Sequence, residues 1–459
     1  MARARKIVVV SNRGPYRRER RQWVRSAGGL VAALHPMLSS RGGCWISAKH
    51  AQNFGTVEDE PDVAYELADV RISPKLQEGF YMGVSNAIIW PLLHSFPATM
   101  HVADAPWDKY VTANEKFAEV TAANSKPNDL IWVQDYHLML VPGMLREKRR
   151  RARIGWFCHV PWPPWSLFGI LPWREQILEG LLGSDVIGFH TREYVDHFLD
   201  CVDRYTDYPV DRVRGTVRLK RRTVRVMPAP IGCSVERLSE LSAADDVAEE
   251  CAAIKADLAG RRVLLGVDRL DYTKGIPERI RAFKRLLDAD PALREEVVFL
   301  QIMVPSRTDV AAYAELKEQI DQLVGEVNGR HGTTGRVPMQ YFYRNFGQRS
   351  LFAHYQAADV AVVTPLRDGM NLVAHEYVIS RVKGDGVLVL SEFAGAAAFL
   401  DDAVQVNPYD IDGIADAIQR SLDMPMREQK RRMKKLQSEV QALDVHRWAD
   451  DYLKALEHG

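Results

Sequence analysis

The chain has 459 residues, 46% hydrophobic and 26% charged, ordinary globular proportions at a length too great for one hydrophobic core. A formal net charge of +1 supplies no global field for nucleic acid or an anionic membrane, and leaves small anions held by local clusters. No run of about 18 apolar residues could span a bilayer, and the scattered Cys44, Cys158, Cys201, Cys233 and Cys251 lack the close spacing of metal sites, so the expectation is a cytoplasmic protein with free thiols, no metal, no nucleic-acid partner and no membrane partner.

The opening MARARKIVVVSNR is too short in its apolar part for a signal peptide and reads as a first strand over 7–10. Arg13 stands nearest its end, followed by a loop with Arg17, Arg18, Arg20, Arg21 and Arg25. Gly28 and Gly29 then precede a helix from about Leu30. This is not GxGxxG, so a dinucleotide fingerprint is absent. Further apolar runs, each leading into a polar loop and helical periodicity, predict strands at 130–133, 154–159, 186–189 and 224–227. Two of them end near Asp135 with Tyr136 and at His159. In open parallel sheets ligands bind beyond the carboxyl ends of strands, although either residue could equally be a cap or a satisfied structural group.

The aromatic run Trp162, Trp165 and Trp173, stiffened by Pro161, Pro163, Pro164 and Pro172, could stack on a sugar face or form plain core. The basic runs REKRRRAR (146–153) and REQKRRMKK (427–435) read as solvated helix faces or ends. MPAPIGCSVERL, with Pro228, Pro230 and Gly232, breaks regular structure and places a hinge near Gly232, before an acidic helix over 245–257.

The same grammar restarts with strands at 263–267, 297–302, 360–364, 387–390 and 404–406, predicting a second α/β domain. DRLDYTKGIPERIRAF places Arg269 and Lys274 in a loop that opens a helix whose buried stripe is Ile276, Ile280, Phe283 and Leu287. Two cations beside a helix N-terminus suit a diphosphate. The spacing equally allows Arg269 to pair with Asp268 or Asp271 in a surface network. PLRDGMNLVAHEYV places Asp368 and Gly369 between strand and helix, with free N–H groups at Gly369, Met370 and Asn371 and with Glu376 about two turns on. Asp368 could bind sugar hydroxyls or cap the helix, and Glu376 could grip ribose hydroxyls.

The segments SNR, GGL, WPLLHS, DYHLML, GVDRLDYTKGIPER, VPSRTDV, LVGEVNG, TPLRDGMNLVAHEYV and SEFAGAA, in that order over nearly the whole chain, resemble the trehalose-6-phosphate synthase family of retaining glycosyltransferases. The resemblance implies an α/β, GT-B fold, two Rossmann-like domains facing across a cleft: an acceptor-binding domain at 1–232, a nucleotide-sugar-binding domain at 233–437, and a C-terminal segment at 438–459 whose helix, over 438–456, returns to the first domain. It implies small-molecule substrates, a nucleoside diphosphate glucose as co-substrate with no further cofactor, and glucose-6-phosphate as acceptor; a homo-oligomer is compatible.

By that likeness Arg269 and Lys274 hold the donor diphosphate, with Gly29 close to it. Glu376 binds the ribose; Asp368 with Met370, Asn371 and Leu372 holds the donor glucose, and His159 contacts it. Arg13, Tyr81, Trp90 and Arg307 hold the acceptor phosphate, while Asp135 and Tyr136 lie by the acceptor sugar. Arg269, Lys274, Asp135, His159 and Asp368 form the implied catalytic set. No carboxylate stands out as a double-displacement nucleophile, so same-face substitution is expected.

Departures fall on the acceptor side. Ala48 stands where the family usually has Trp, with Trp162 or Trp165 as candidates to fill that space. WPLLHSFP replaces WPLFHY, and WPPWSLFGILPWR is atypical. HSFP and ILPWRE also resemble glucosylglycerol-phosphate synthases, which makes glycerol-3-phosphate the alternative acceptor and a pseudo-glycosyltransferase a third reading.

Overall fold

The computed structural model describes residues 5–19, 22–25, 29–50, 63–306 and 311–458. Its apolar runs become strands because β-branched and aromatic residues pack well on a pleated surface buried on both faces. The chain forms two compact units, Met1–Ile231 with Val445–Gly459, and Gly232–Asp444.

In the first unit the strands are β1 (Ile7–Ser11), β2 (Tyr16–Glu19), β3 (Gln22–Arg25), β4 (Cys44–His50), β5 (Glu66–Ile72), β6 (Leu130–Gln134), β7 (Arg153–Phe157), β8 (Val186–Phe189), β9 (Val210–Asp211), β10 (Thr216–Arg218) and β11 (Thr223–Pro228). Nine of them form one sheet in the order β5-β4-β1-β6-β7-β8-β11-β10-β9. The first seven run parallel, and β10 and β9 add an antiparallel edge. β2 and β3 pair as a separate hairpin.

The second unit holds β12 (Arg262–Arg269), β13 (Val297–Val304), β14 (Met339–Tyr343), β15 (Val360–Val363), β16 (Val387–Ser391) and β17 (Val404–Val406). They form a parallel sheet in the order β14-β13-β12-β15-β16-β17. The helix Ile276–Ala289 buries Ile276, Ile280, Phe283 and Leu287, the stripe read from the sequence.

Some elements differ from the sequence reading. β4, β5, β14 and the hairpin were not anticipated, and β7 ends at Phe157, so His159 lies in the loop beyond it. The helix expected over 438–456 is two helices, Met426–Ala442 and Val445–His458. The chain leaves the first at Leu443, and the Asp444 carboxylate accepts from the Val235 N–H at 3.2 Å, where the helix Val235–Ser242 begins. Only the second of the two belongs to the first unit. There Tyr452 stacks on Trp132 at 4.5 Å, with its hydroxyl within hydrogen-bonding distance of the Trp156 and Val186 carbonyls.

The basic runs are structural. Arg146 ties to Asp185 at 2.7 Å and to the Ala152 carbonyl, while Arg431 and Lys435 pair with Asp402. Among the described residues no helix is long and apolar enough to cross a membrane.

Candidate active site

Parallel pairing brings the carboxyl ends of β1, β6 and β7 to one edge of the first sheet, and the residues just beyond them form a polar cluster. Asp135 follows β6 with φ 72°, a left-handed backbone that is uncommon outside glycine. That conformation is held from several sides: the Asp135 N–H donates to the Phe157 carbonyl at 2.7 Å, and the Trp156 indole N–H donates to the Asp135 carbonyl at 3.2 Å. The carboxylate accepts from the His159 N–H at 3.3 Å. Burial pushes the carboxyl up to about 6, opposed by the N–H groups of Tyr136 and His159 and by the charge of Arg13. A carboxyl so tuned ionises within the physiological range.

The His159 Nε2 is 2.9 Å from the side-chain carbonyl of Gln134, which is fully buried. Burial, and then the neighbouring His190, hold His159 well below the usual histidine range, so its ring is neutral. Arg13, beyond β1, donates to the Tyr81 hydroxyl at 2.8 Å, and the Tyr81 ring stacks on His137 at 5.6 Å. Tyr81 sits on a wide π-helical segment, Glu78–Ile89, that runs into the short helix Trp90–Leu93. The Trp90 ring lies 5.8 Å from that of Tyr136, whose hydroxyl donates to Asn86 at 3.2 Å. Arg13, Tyr81, Trp90, Asp135, Tyr136 and His159 are thus joined through direct contacts or one intermediate. Gly29 opens the helix Gly29–Arg41, and Arg307 lies outside the described residues.

In the second unit the loops after β12 and β15 meet. Lys274, 8% exposed, donates from its ammonium to Asp368 Oδ2 at 2.5 Å. The Asn371 amide donates to the same oxygen at 3.0 Å, and the Gly369 N–H donates to Oδ1 at 2.9 Å. Asp368 is therefore the hub of its loop and not the cap of the following helix, Leu372–Ser380. That helix's cap position is Asn371, at φ 69°, which makes no side-chain capping bond. The Leu366 N–H donates to the Thr273 carbonyl at 2.7 Å, tying one loop to the other. Gly275, at φ 62°, lets the chain turn from Lys274 straight into the next helix, and a Cβ there would lie 2.2 Å from the Thr364 carbonyl oxygen.

Asp268 and Asp271 do not pair with Arg269. Asp268 binds Arg279 at 2.6 Å, and Asp271 accepts from the Thr273 N–H and hydroxyl and from the Tyr313 hydroxyl. Arg269 itself is exposed, with no ion-pair partner among the described residues. Glu376 accepts from the Tyr355 hydroxyl at 3.0 Å, and burial pushes its carboxyl up to about 7. Met370 is buried, its carbonyl accepting from the Ala396 N–H at 2.9 Å, and Leu372 is the first residue of the helix.

Residues 5–458 match the profile of glycosyltransferase family 20. The chain belongs to that family. The trehalose-6-phosphate synthase of Mycobacterium avium (strain 104) is 43% identical to this family 20 enzyme, over 98% of this chain and 95% of its own. The α,α-trehalose-phosphate synthase of Burkholderia xenovorans, solved in complex with glucose-6-phosphate, is 34% identical with a TM-score of 0.90, covering 98% of this chain and 100% of its own. An E. coli structure bound with UDP-2-fluoro glucose is 32% identical with a TM-score of 0.91, covering 98% and 99%. The fold of this family 20 member is GT-B.

Several supporting residues escaped the sequence reading: Gln134, which meets His159; Asn86, which meets Tyr136; Tyr355, which meets Glu376; and Arg279. Only Arg279 left a signal, a charge set within an otherwise apolar helical stripe. Of the aromatic run, Trp162 and Trp173 resolve as packing. Trp162 is fully buried between Phe168, Phe189 and Phe198, and Trp173 stacks on Trp107 at 4.4 Å. Trp165 is 43% exposed, with Arg204 over its ring. Trp162 is thus committed to the core, and Trp165 is engaged by Arg204. Among the described residues no group of three His, Cys, Asp or Glu side chains could hold a metal ion.

Proposed function

We propose that this enzyme transfers glucose, with retention of the donor's α configuration, from UDP-glucose to glucose-6-phosphate, giving trehalose-6-phosphate and UDP. The observation that carries the reading is the Lys274–Asp368–Asn371 cluster at the joined loops of β12 and β15. It is supported by likeness to proteins solved with glucose-6-phosphate and with a UDP-glucose analogue.

Lys274 and Arg269 supply the positive charge for the donor diphosphate, helped by the N–H groups at the start of the helix after Gly275. Asp368 and the backbone of Met370, Asn371 and Leu372 hold the donor glucose, while Glu376 holds the ribose. On the acceptor side Asp135 and Tyr136 meet the sugar, and Arg13, Tyr81 and Trp90 meet the phosphate. As the bond from the anomeric carbon to the diphosphate oxygen breaks, negative charge grows on the diphosphate beside Lys274 and Arg269. The acceptor hydroxyl oxygen bonds to that carbon on the same face, and its proton passes to a leaving-group oxygen. The protein's work is positioning and charge stabilisation.

The test is release of nucleoside diphosphate from UDP-, GDP- and ADP-glucose with glucose-6-phosphate, glycerol-3-phosphate or free glucose as acceptor. UDP release with glucose-6-phosphate is expected to dominate. A preference for glycerol-3-phosphate overturns the acceptor, and equal turnover of free glucose overturns the role given to its phosphate.

A further inference from the structure

We infer that Arg279 is a positioning residue for the donor site, holding the Lys274 loop and the Asp368 loop in one arrangement without touching substrate, given the donor role proposed above for Lys274. Arg279 is 0% exposed. A guanidinium buried that deeply is tolerated only when its N–H groups are met. Its Nη1 donates to Asp268 Oδ2 at 2.6 Å and to Gln301 Oε1 at 3.2 Å, its Nε to Thr364 Oγ1 at 3.1 Å, and its Nη2 to the Lys274 carbonyl at 3.3 Å. Those partners sit on β12, on β13, at the end of β15 and in the turn that carries Lys274. One planar fork therefore fixes the bases of both loops whose tips meet at the Lys274–Asp368 contact.

The sequence also makes room for it. Gly266, on β12, stands where a Cβ would lie 2.5 Å from Arg279 Nη1 and 2.4 Å from Gln301 Oε1. Buried ion pairs of this kind add little net stability over apolar packing, so a geometric role accounts for the arrangement better than a stabilising one. A lysine could keep the charge beside Asp268 but could not span Thr364 and the Lys274 carbonyl at once.

The experiment is a double-mutant cycle in the full chain with Arg279→Lys and Lys274→Ala, read as donor and acceptor kcat/KM alongside thermal unfolding. Arg279→Lys is expected to stay folded, keep its acceptor KM, and lose donor kcat/KM by about tenfold to a hundredfold, as misplacement of a reacting group does. Most of that loss should vanish in the Lys274→Ala background, because the two residues act through one group. Losses that simply multiply, or that fall equally on donor and acceptor, overturn the inference. Should Arg279→Lys not fold, Thr364→Val removes a single strut, and a smaller donor-selective loss that again vanishes with Lys274→Ala is required. Should Lys274→Ala alone leave donor kinetics unchanged, the donor reading itself fails, and this inference with it.

Discussion

The Lys274 ammonium and the Asp368 carboxylate, 94 residues apart in sequence, meet at 2.5 Å. With Asn371 and the Gly369 N–H engaging the same carboxylate, the loop after β15 is organised around one charge supplied by the loop after β12.

Lys274→Ala, or Arg269→Ala, is expected to lower kcat/KM by about 10²–10³, the roughly 2.7–4 kcal/mol carried by one preorganised group facing developing charge. Steady-state assays of nucleoside diphosphate release check this, and near wild-type kcat/KM in both variants would remove the diphosphate assignment.

With the acceptor-side role proposed for it, Asp135 would exchange stability for function. Its carboxyl is raised to about 6 by burial, so ionising it costs more in the folded chain than in the unfolded one. That cost is absent below the ordinary carboxylate range, grows between there and pH 6, and is complete above pH 6. Asp135→Asn keeps the side chain's size and shape at φ 72°, ψ 170° and removes the cost. The variant should be more stable than the parent at pH 8 by up to about 3 kcal/mol, with the gain shrinking towards pH 5, while turnover falls. Denaturant midpoints at pH 5, 6.5 and 8 measure the sign; a variant less stable at pH 8 contradicts it.

Glu376 predicts a pH dependence on the donor side. Its carboxyl sits at about 7, pushed up by burial against the Tyr355 hydrogen bond. The carboxylate that would accept from ribose hydroxyls is therefore lost as pH falls through neutrality. Donor KM should rise about tenfold between pH 8 and pH 6. Glu376→Gln should show a higher donor KM that no longer varies over that range. Tyr355→Phe removes the bond favouring the carboxylate and should move the parent's midpoint upward. A flat parent profile would exclude Glu376 from the donor site.

Much of this was readable one residue at a time. Strand and helix periodicity marked β1, β6, β7, β8 and β11 and five of the six strands of the second sheet, since buried parallel strands are continuous apolar runs. It passed over β4 and β14, where CWISAKH and MQYFY mix polar and apolar residues without a clean period, and it joined two helices across Leu443, because the apolar spacing does not register a side chain turning to cap another element.

The sequence by itself determined the two α/β units, the family through its motifs, and the loops on which Lys274, Asp135 and Asp368 stand, because strand ends and helix starts are local properties; it set Arg269 one step too late, since that residue closes β12, and His159 too early, since β7 stops at Phe157. Only the tertiary structure decided the partners. That Asp268 belongs to Arg279 and not to Arg269, that Lys274 is held by Asp368, and that Trp162 is core follow from contacts between residues distant in the chain. The raised carboxyls of Asp135 and Glu376 follow from burial. Neither distance nor desolvation is encoded at any single position; both arise when separate strands are laid side by side.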